Sequence, residues 1–444
     1  MLLPTEAQPL LAALLPHLTQ PTYTRLVVLI AAAILTTGRR TVANLLRTVG
    51  DLAPGHDASY RRVLSAAEWS GLELGCAIAR FLLDRLVPDG PVDLVGDDTV
   101  DGHPGPKVYG KGRHRDAVRS SHSYTAWRYG HKWVVLAVLV KFPFAARRWA
   151  LPVLVDLYRT PEVSKAEGVR HRTPAQLMCR LLRLVLLRFP GRAFVFAGDA
   201  GFGTHEVARF CRRHRRRLTL VSKLHPDANL FAPPPPYRGN GRPRVKGDRV
   251  PKPRAAAATG RRRKLTVAWY GGGTRRVEAV TGTGHWYKGG NGLVPIRWVY
   301  VKDTTGTHRD EYLFTTDTTR TANAVVGTYC GRWSIETTFQ ECRSCTGLET
   351  TRGRSARTVT RAAPCLLGLY AVVAVLYHAL PEAKRVGSVA WAGKETVTFS
   401  DALTAVRRWI WAEGVFPQAR IDGAIAELPG NVRELLLSGL APAP

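Results

Sequence analysis

One short stretch near the C-terminal third of the chain combines a carboxylate, two cations and an aromatic ring. It runs from Tyr329 to Arg343 and reads YCGRWSIETTFQECR. At about 100° per residue, a helix over this stretch brings Tyr329, Arg332, Glu336 and Arg343 into a sector of roughly 60°, whereas Glu341 points to another side. A carboxylate flanked by cations can hold a metal ion beside a phosphodiester. An ordinary amphipathic helix has the same pattern, so other residues must decide.

Further carboxylates lie upstream, each after an apolar segment. Asp97 and Asp98 end one such segment, and Asp199 ends another. Hard divalent cations prefer carboxylate oxygens, and two such cations can activate a nucleophile and stabilise the leaving oxygen of a phosphodiester. Acids at strand ends also cap helices or form turns, and the sequence around Asp199 could be simply a turn. Together with Glu336, these acids predict a metal-dependent site that cleaves phosphodiesters.

The overall charge predicts a polyanionic partner. The chain has 64 Lys and Arg against 34 Asp and Glu, which gives a net charge of +30. Basic clusters occur at Arg212–Arg217 and Arg261–Lys264, with Trp269 and Trp286 not far away. A single cluster is often only a solvated face, but the excess extends over the whole chain. Ribosomal and packaging proteins share such charge, yet the 45% hydrophobic content over 444 residues indicates a large core and two to four domains.

The cysteines and apolar runs bear on compartment. Seven scattered cysteines predict a reducing environment, and Cys342 with Cys345 form the one close pair, a weak zinc signal. We expect no cleaved leader and no membrane partner, because the longest apolar runs, 26–35 and 365–380, are shorter than the roughly 20 residues of a membrane helix. A soluble cytoplasmic protein, associated with the nucleoid, is the expectation.

The elements that must position the acids change along the chain. Residues 1–90 have helical periodicity, and either a DNA-reading helix-turn-helix or a plain helical packing domain fits them. From Val92 to Lys223 the pattern predicts three strands, a helix, a strand, a helix and a strand. Three strands that can form a meander, followed by alternating elements, indicate an α/β fold with a mixed sheet. That order is the one expected of a ribonuclease H-like core.

At this point the chain resembles the DDE transposases of bacterial insertion sequences that carry a Tyr-(2)-Arg-(3)-Glu-(6)-Lys signature. Tyr329, Arg332 and Glu336 match that signature, and Arg343 stands where the family usually has Lys. The resemblance extends over roughly residues 92–370. It includes the basic, glycine-rich connection from Lys107 to Asp116.

The resemblance implies roles for particular residues. In this family the first acid precedes a threonine, which selects Asp98 over Asp97, and Asp199 is the second acid. Asp98, Asp199 and Glu336 would then be the catalytic acids and would bind two Mg²⁺ or Mn²⁺ ions. Neighbouring strands would carry the first two acids. The DNA-binding residues implied are Tyr329, Arg332, Trp333 and Arg343.

The resemblance also predicts the domain layout. A basic, proline-rich linker and a β-rich insertion would divide the catalytic core. A tryptophan of the insertion, Trp286 or Trp298, could stack an extruded base, although burial in a small β-domain is the simpler interpretation of either residue. The linker would be mobile or ordered only on DNA. The predicted parts are a helical and probable DNA-binding domain (1–90), the first part of the core (91–224), the linker and insertion (225–318), the second part of the core (319–380) and a helical tail (381–444).

These observations predict a cut-and-paste transposase. Its partners would be double-stranded DNA, both as the inverted repeats of the element and as target, and it would pair two ends as a dimer. Two alternatives remain open: a ribonuclease H-like nuclease that cuts without joining, and a catalytically inactive DNA-binding descendant.

Overall fold

A computed structural model describes residues 2–116, 119–121, 123–237, 239, 241–385 and 393–443. The helices are α1 Gln8–Leu14, α2 Gln20–Leu35, α3 Val42–Val49, α4 Asp57–Ser65, α5 Gly71–Leu86, α6 Pro161–Ala166, α7 Pro174–Arg188, α8 His205–Arg213, α9 Pro253–Thr259, α10 Ala322–Gly331, α11 Ser334–Glu341, α12 Ala356–Ala379, α13 Phe399–Ile410, α14 Phe416–Gln418, α15 Asp422–Ala426 and α16 Gly430–Leu440. The strands are β1 Val92–Gly102, β2 Gly112–Arg115, β3 Trp127–Val140, β4 Trp149–Tyr158, β5 Phe194–Gly198, β6 Leu218–Lys223, β7 Leu230–Phe231, β8 Arg263–Ala268, β9 Thr274–Lys288, β10 Gly292–Asp303 and β11 Glu311–Thr315.

All of these strands belong to one mixed sheet of 11 strands. Its path runs β2-β3-β1-β5-β6-β11-β10-β9-β7, with β4 also paired to β3 and β8 to β9. The β1–β5 and β5–β6 pairs are parallel, and the β1–β3 pair is antiparallel. The mixed α/β class predicted from the sequence is therefore observed. β2 was not predicted, because its sequence Gly112–Arg115 is short and basic and has no apolar face.

The insertion continues the central sheet. β11 pairs antiparallel with β6, with Phe314 opposite Ser222. The predicted linker from Pro233 to Lys264 contains α9 within its described residues, so it is partly structured without DNA. Residues 238 and 240 of this linker, and 386–392 of the predicted tail, lie outside the described residues.

The helices at both ends of the chain share the core of the sheet. One cluster of buried side chains includes Leu26 of α2, Leu82 of α5, Trp149 of β4, Leu367 of α12 and Trp409 of α13. α12 is apolar and long enough to cross a membrane, but 72% of its most apolar window is buried inside the protein. Such burial is typical of the core helix of a soluble protein.

The stretch from Tyr329 to Arg343 is not the single helix expected from its periodicity. α10 ends at Gly331, and the chain passes through a tight turn before α11, with the Glu336 amide donating to the Trp333 carbonyl. After α11 the chain widens into a π-helical turn from Cys342 to Thr346. Despite the turn at 332–333, Tyr329, Arg332 and Glu336 remain in contact through the Arg332 side chain.

Candidate active site

Two parallel strands carry acids to the same edge of the sheet. The last pair of the β1–β5 ladder is Gly96 opposite Gly198, so Asp97, which continues β1, and Asp199, which follows β5, take the next position on each chain segment. The carbonyl oxygen of Asp199 accepts a hydrogen bond from the Ser222 hydroxyl at 2.7 Å, which fixes the chain after β5. The neighbouring strands implied by the family resemblance are therefore present.

Arg332 connects Asp97 to Glu336. Its guanidinium donates to Asp97 Oδ2 at 2.9 Å and to Glu336 Oε1 at 2.7 Å. The Arg332 side chain is only 8% exposed, and it lies over the ring of Tyr329 with 5.4 Å to the ring centroid. Glu336, at 45% exposed, extends from α11 towards solvent. A buried cation therefore positions two carboxylates from distant parts of the chain.

Asp98, the first acid selected by the resemblance, lies in a different environment. Successive side chains of a strand point to opposite faces. A side chain at Gly96 would meet Met178 of α7, so the even positions of β1 face α7. Asp98, two residues after Gly96, therefore lies on the α7 side of β1, where it forms an ion pair with Lys132 of β3 at 2.9 Å. The structure thus brings Asp97 to Asp199 and Glu336, while Asp98 pairs with Lys132.

The pKa values of Asp97 and Asp98 are raised by burial in both cases, but the neighbouring charges differ. Burial and the nearby charge of Asp199 raise the pKa of Asp97 to about 7, against the opposing effect of Arg332. Burial also raises the pKa of Asp98, but Lys132 opposes it more strongly than Asp199 adds to it. Negative charge around Asp97 is therefore incompletely compensated by Arg332.

A hard divalent cation fits the chemistry of this site. Carboxylate oxygens are its preferred ligands, and the crowding of Asp97 and Asp199 favours an added positive charge. Among the described residues no three His, Cys, Asp or Glu side chains form a group that could hold an ion. Because Arg332 lies between Asp97 and Glu336, joint binding of an ion by these acids requires Arg332 to release at least one of them.

The four side chains predicted to bind DNA divide by exposure. Tyr329 and Arg332 are buried, at 2% and 7% exposed, and they support the acids from inside. Trp333 is 39% exposed, and the Arg343 side chain is 37% exposed. The Arg343 guanidinium also bonds Glu349 and the Thr99 hydroxyl of β1, which holds it beside the strand that carries Asp97.

The two tryptophans considered for base stacking both pack inside the protein. Trp298 is 4% exposed and covers Gly282 of the neighbouring strand, where any side chain would collide with it. Trp286 packs edge-on against His205 and Phe314, with ring centroids at 5.2 Å and 5.5 Å. Their placement agrees with burial in the β-rich insertion.

Sequence reasoning favoured Asp98 over Asp97 on the family resemblance alone, and it did not anticipate the bridging role of Arg332. Two-residue alternation along β1 could have distinguished Asp97 from Asp98, given a parallel register with β5. Nothing in the sequence signals the pairing of Asp98 with Lys132, because that contact depends on the register between β1 and β3.

Comparisons with known proteins identify a family and several solved structures to which the chain is similar. Residues 13–276 match the family described as DDE superfamily endonuclease, a range that includes Asp97, Asp98 and Asp199 and ends before Glu336. No curated protein matches the chain. Among solved structures, the chain is similar to the piggyBac transposase in a synaptic complex with hairpin DNA, with a TM-score of 0.41 and 11% identity, over 96% of this chain and 77% of that one.

Proposed function

Because the chain belongs to the DDE superfamily endonucleases, we propose that it is a DNA transposase that cuts at the ends of a mobile element and joins the freed 3′ ends to target DNA. The observation that supports this most is the placement of Asp97 and Asp199 side by side, each directly after the last pair of the β1–β5 ladder, with Arg332 bridging Asp97 and Glu336. The sheet order β3-β1-β5-β6, with β1, β5 and β6 parallel, supports a ribonuclease H-like core for this activity.

Endonucleases of this superfamily generally use divalent metal ions. In our proposal Asp97, Asp199 and Glu336 hold two Mg²⁺ or Mn²⁺ ions, which when bound supply a nucleophile at neutral pH and stabilise the leaving oxygen. Asp98 is the alternative first acid, as the resemblance implies. It is the weaker choice, because it lies on the α7 side of β1 and pairs with Lys132, whereas Asp97 is linked to Glu336 through Arg332.

The cations and rings around the acids position the DNA backbone. Arg332 is held by two carboxylates and by the ring of Tyr329, so its guanidinium keeps Glu336 beside β1 until the acids take another partner. Arg343 and Trp333 are more exposed, and we assign them contacts with phosphate and sugar. Arg343 carries the planar donor set of a guanidinium where the related signature has an ammonium, and it suits a bidentate contact with a phosphate.

The net charge of +30 supports double-stranded DNA as the partner, both as element ends and as target. Joining requires two ends to be held together, so we propose a dimer in the DNA complex. The site of action would be the nucleoid within the cytoplasm.

The test uses the purified full chain and DNA fragments that carry the inverted repeats flanking its gene. With Mg²⁺, we expect cleavage at the repeat ends and loss of roughly 10³-fold in rate for Glu336→Gln, since a lost metal ligand costs several kcal/mol of transition-state stabilisation. Glu427→Gln, an exposed change on α15's C-terminal side, is the matched control and should cleave like the wild type. Undiminished cleavage by a folded Glu336→Gln variant would remove Glu336 from the site.

A joining assay separates the proposal from its alternatives. Recovery of the element end covalently linked to target plasmid supports transposition. Cleaved ends without linked product indicate a nuclease that cuts without joining. Specific binding of the repeats without any metal-dependent cleavage indicates an inactive DNA-binding descendant.

A further inference from the structure

A short two-stranded ribbon carries exposed aromatic rings and cations on one face. β2 pairs with the first residues of β3, placing Arg113 opposite Tyr129 and Arg115 opposite Trp127. In an antiparallel pair, directly opposed residues share a face, so these four side chains form one surface. Trp127 is 51% exposed and Tyr129 is 60% exposed. We call the surface of Arg113, Arg115, Trp127 and Tyr129 the aromatic ribbon.

The other face of the same strands is already occupied. His114 of β2 is buried at 4% exposed, and Arg128 of β3 forms an ion pair with Glu349 at 2.6 Å. The ribbon is therefore anchored through one face and open on the other. Large exposed rings on a firmly paired strand are typical of a binding surface.

Cations accompany both rings. The Arg113 guanidinium lies 4.4 Å from the centroid of the Trp127 ring, and the Lys111 ammonium lies 5.9 Å from the centroid of the Tyr129 ring. Within the described part of the chain, no carboxylate forms an ion pair with Arg113 or Arg115. The surface therefore combines stacking faces with uncompensated positive charge, which suits an anion that carries planar rings.

The aromatic ribbon faces the same side of the sheet as the acids. Val135 of β3 lies opposite Asp97 of β1, and Tyr129 precedes Val135 by six residues on the same strand. Six residues are an even step, so Tyr129 and Asp97 share a face, about 20 Å apart along the strand at about 3.3 Å per residue. On this face of β3 the buried His131 and Trp133 lie between the ribbon and the position opposite Asp97, so the ribbon is a separate surface on the same side of the sheet.

From this placement we propose that the aromatic ribbon binds unpaired nucleotides of single-stranded DNA. Trp127 and Tyr129 stack bases, which are accessible only where the duplex is open, and Arg113 and Arg115 bind the adjoining phosphates. This deepens the proposed function, and rests on it for the source of the strand, which is the DNA opened next to the cleaved element end.

The test is fluorescence anisotropy with a labelled short oligothymidine and a labelled duplex of equal length, on the full chain in EDTA, so that cleavage plays no part. Replacing both rings, Trp127→Ala with Tyr129→Ala, should weaken binding of the single strand by about 30-fold or more, since two stacked bases lose their platforms. Binding of the duplex should change less than about threefold, because phosphate contacts dominate it. Trp127→Phe with Tyr129→Phe keeps two stacking faces and should restore most of the affinity.

Three results would overturn the inference. Equal losses for single strand and duplex would make the ribbon a general phosphate-binding surface. Unchanged binding of both would leave the rings to a protein partner. Equal weakening by the alanine and phenylalanine pairs would exclude stacking. Because the assay measures binding without metal, failure of DNA cleavage by the wild type would refute the proposed function while leaving this result standing.

Discussion

Replacing Asp97 by asparagine should stabilise the metal-free protein at high pH. The pKa of Asp97 is raised from 3.8 to about 7 by burial and by Asp199. A carboxyl whose pKa is raised on folding binds its proton more tightly in the native state, so stability is lost as pH rises from about 4 through 7. This rise in the pKa of Asp97 corresponds to a loss of at most about 4 kcal/mol in the free energy of unfolding. This figure already contains the attraction of Arg332, which lowers the same pKa.

The assay is urea unfolding of the wild type and Asp97→Asn in EDTA at pH 4 and pH 8. We expect similar free energies of unfolding at pH 4, and a gain of up to about 4 kcal/mol for the variant at pH 8, because the amide stays neutral. Adding Mg²⁺ at pH 8 should stabilise the wild type and leave the variant unchanged. Loss of stability in Asp97→Asn at pH 8 would refute the reasoning, since Asp97 would then act as a stabilising partner of Arg332.

Three further predictions concern single side chains. Burial and the charge of Lys132 lower the pKa of His114 to about 4. Because the folded state then disfavours the protonated ring, the free energy of unfolding should fall by up to about 3 kcal/mol between pH 6.5 and 4. His114→Phe should remove that loss, as measured by urea unfolding at the two pH values. Arg407, 1% exposed, donates to three carbonyl oxygens, those of Ile34 and Thr36 at the end of α2 and that of Pro442. Arg407→Leu should cost about 3 kcal/mol or more in the same measurement, because these acceptors lose their donor, and an unchanged midpoint would contradict it. Arg332→Gln should raise the pKa of Asp97 further above 7, measured by NMR titration, because the guanidinium now lowers it; a lower value would show that Arg332 does not stabilise the carboxylate.

The sequence predicted those parts of the fold that depend on local pattern. The segments before Asp97 and Asp199 have strong apolar character, and the segment with Glu336 has helical periodicity, so all three elements were recognised, although β1 continues beyond its predicted end at Asp98 to Gly102. The break at 332–333 was not recognised, because it lies between two good helical segments, and a single glycine such as Gly331 is also tolerated inside a helix.

Features that depend on long-range pairing could not be derived in the same way. The pairing of β6 with β11 joins Ser222 to Phe314 across the whole insertion, and neither strand specifies its partner. The choice between Asp97 and Asp98 depends on the register of β1 with β5, which a single sequence does not contain. Arg332 can bridge Asp97 and Glu336 only after both pairings are made.

The central claim is that Asp97, Asp199 and Glu336 form a metal-dependent site that cleaves DNA. The most direct test measures cleavage of the element ends with Mg²⁺ by the wild type, Asp97→Asn and Asp98→Asn, with folding checked by circular dichroism. We predict that cleavage requires the metal, falls roughly 10³-fold in Asp97→Asn and stays within about tenfold of the wild type in Asp98→Asn. Cleavage without metal, or an active Asp97→Asn beside an inactive Asp98→Asn, would contradict the site as assigned.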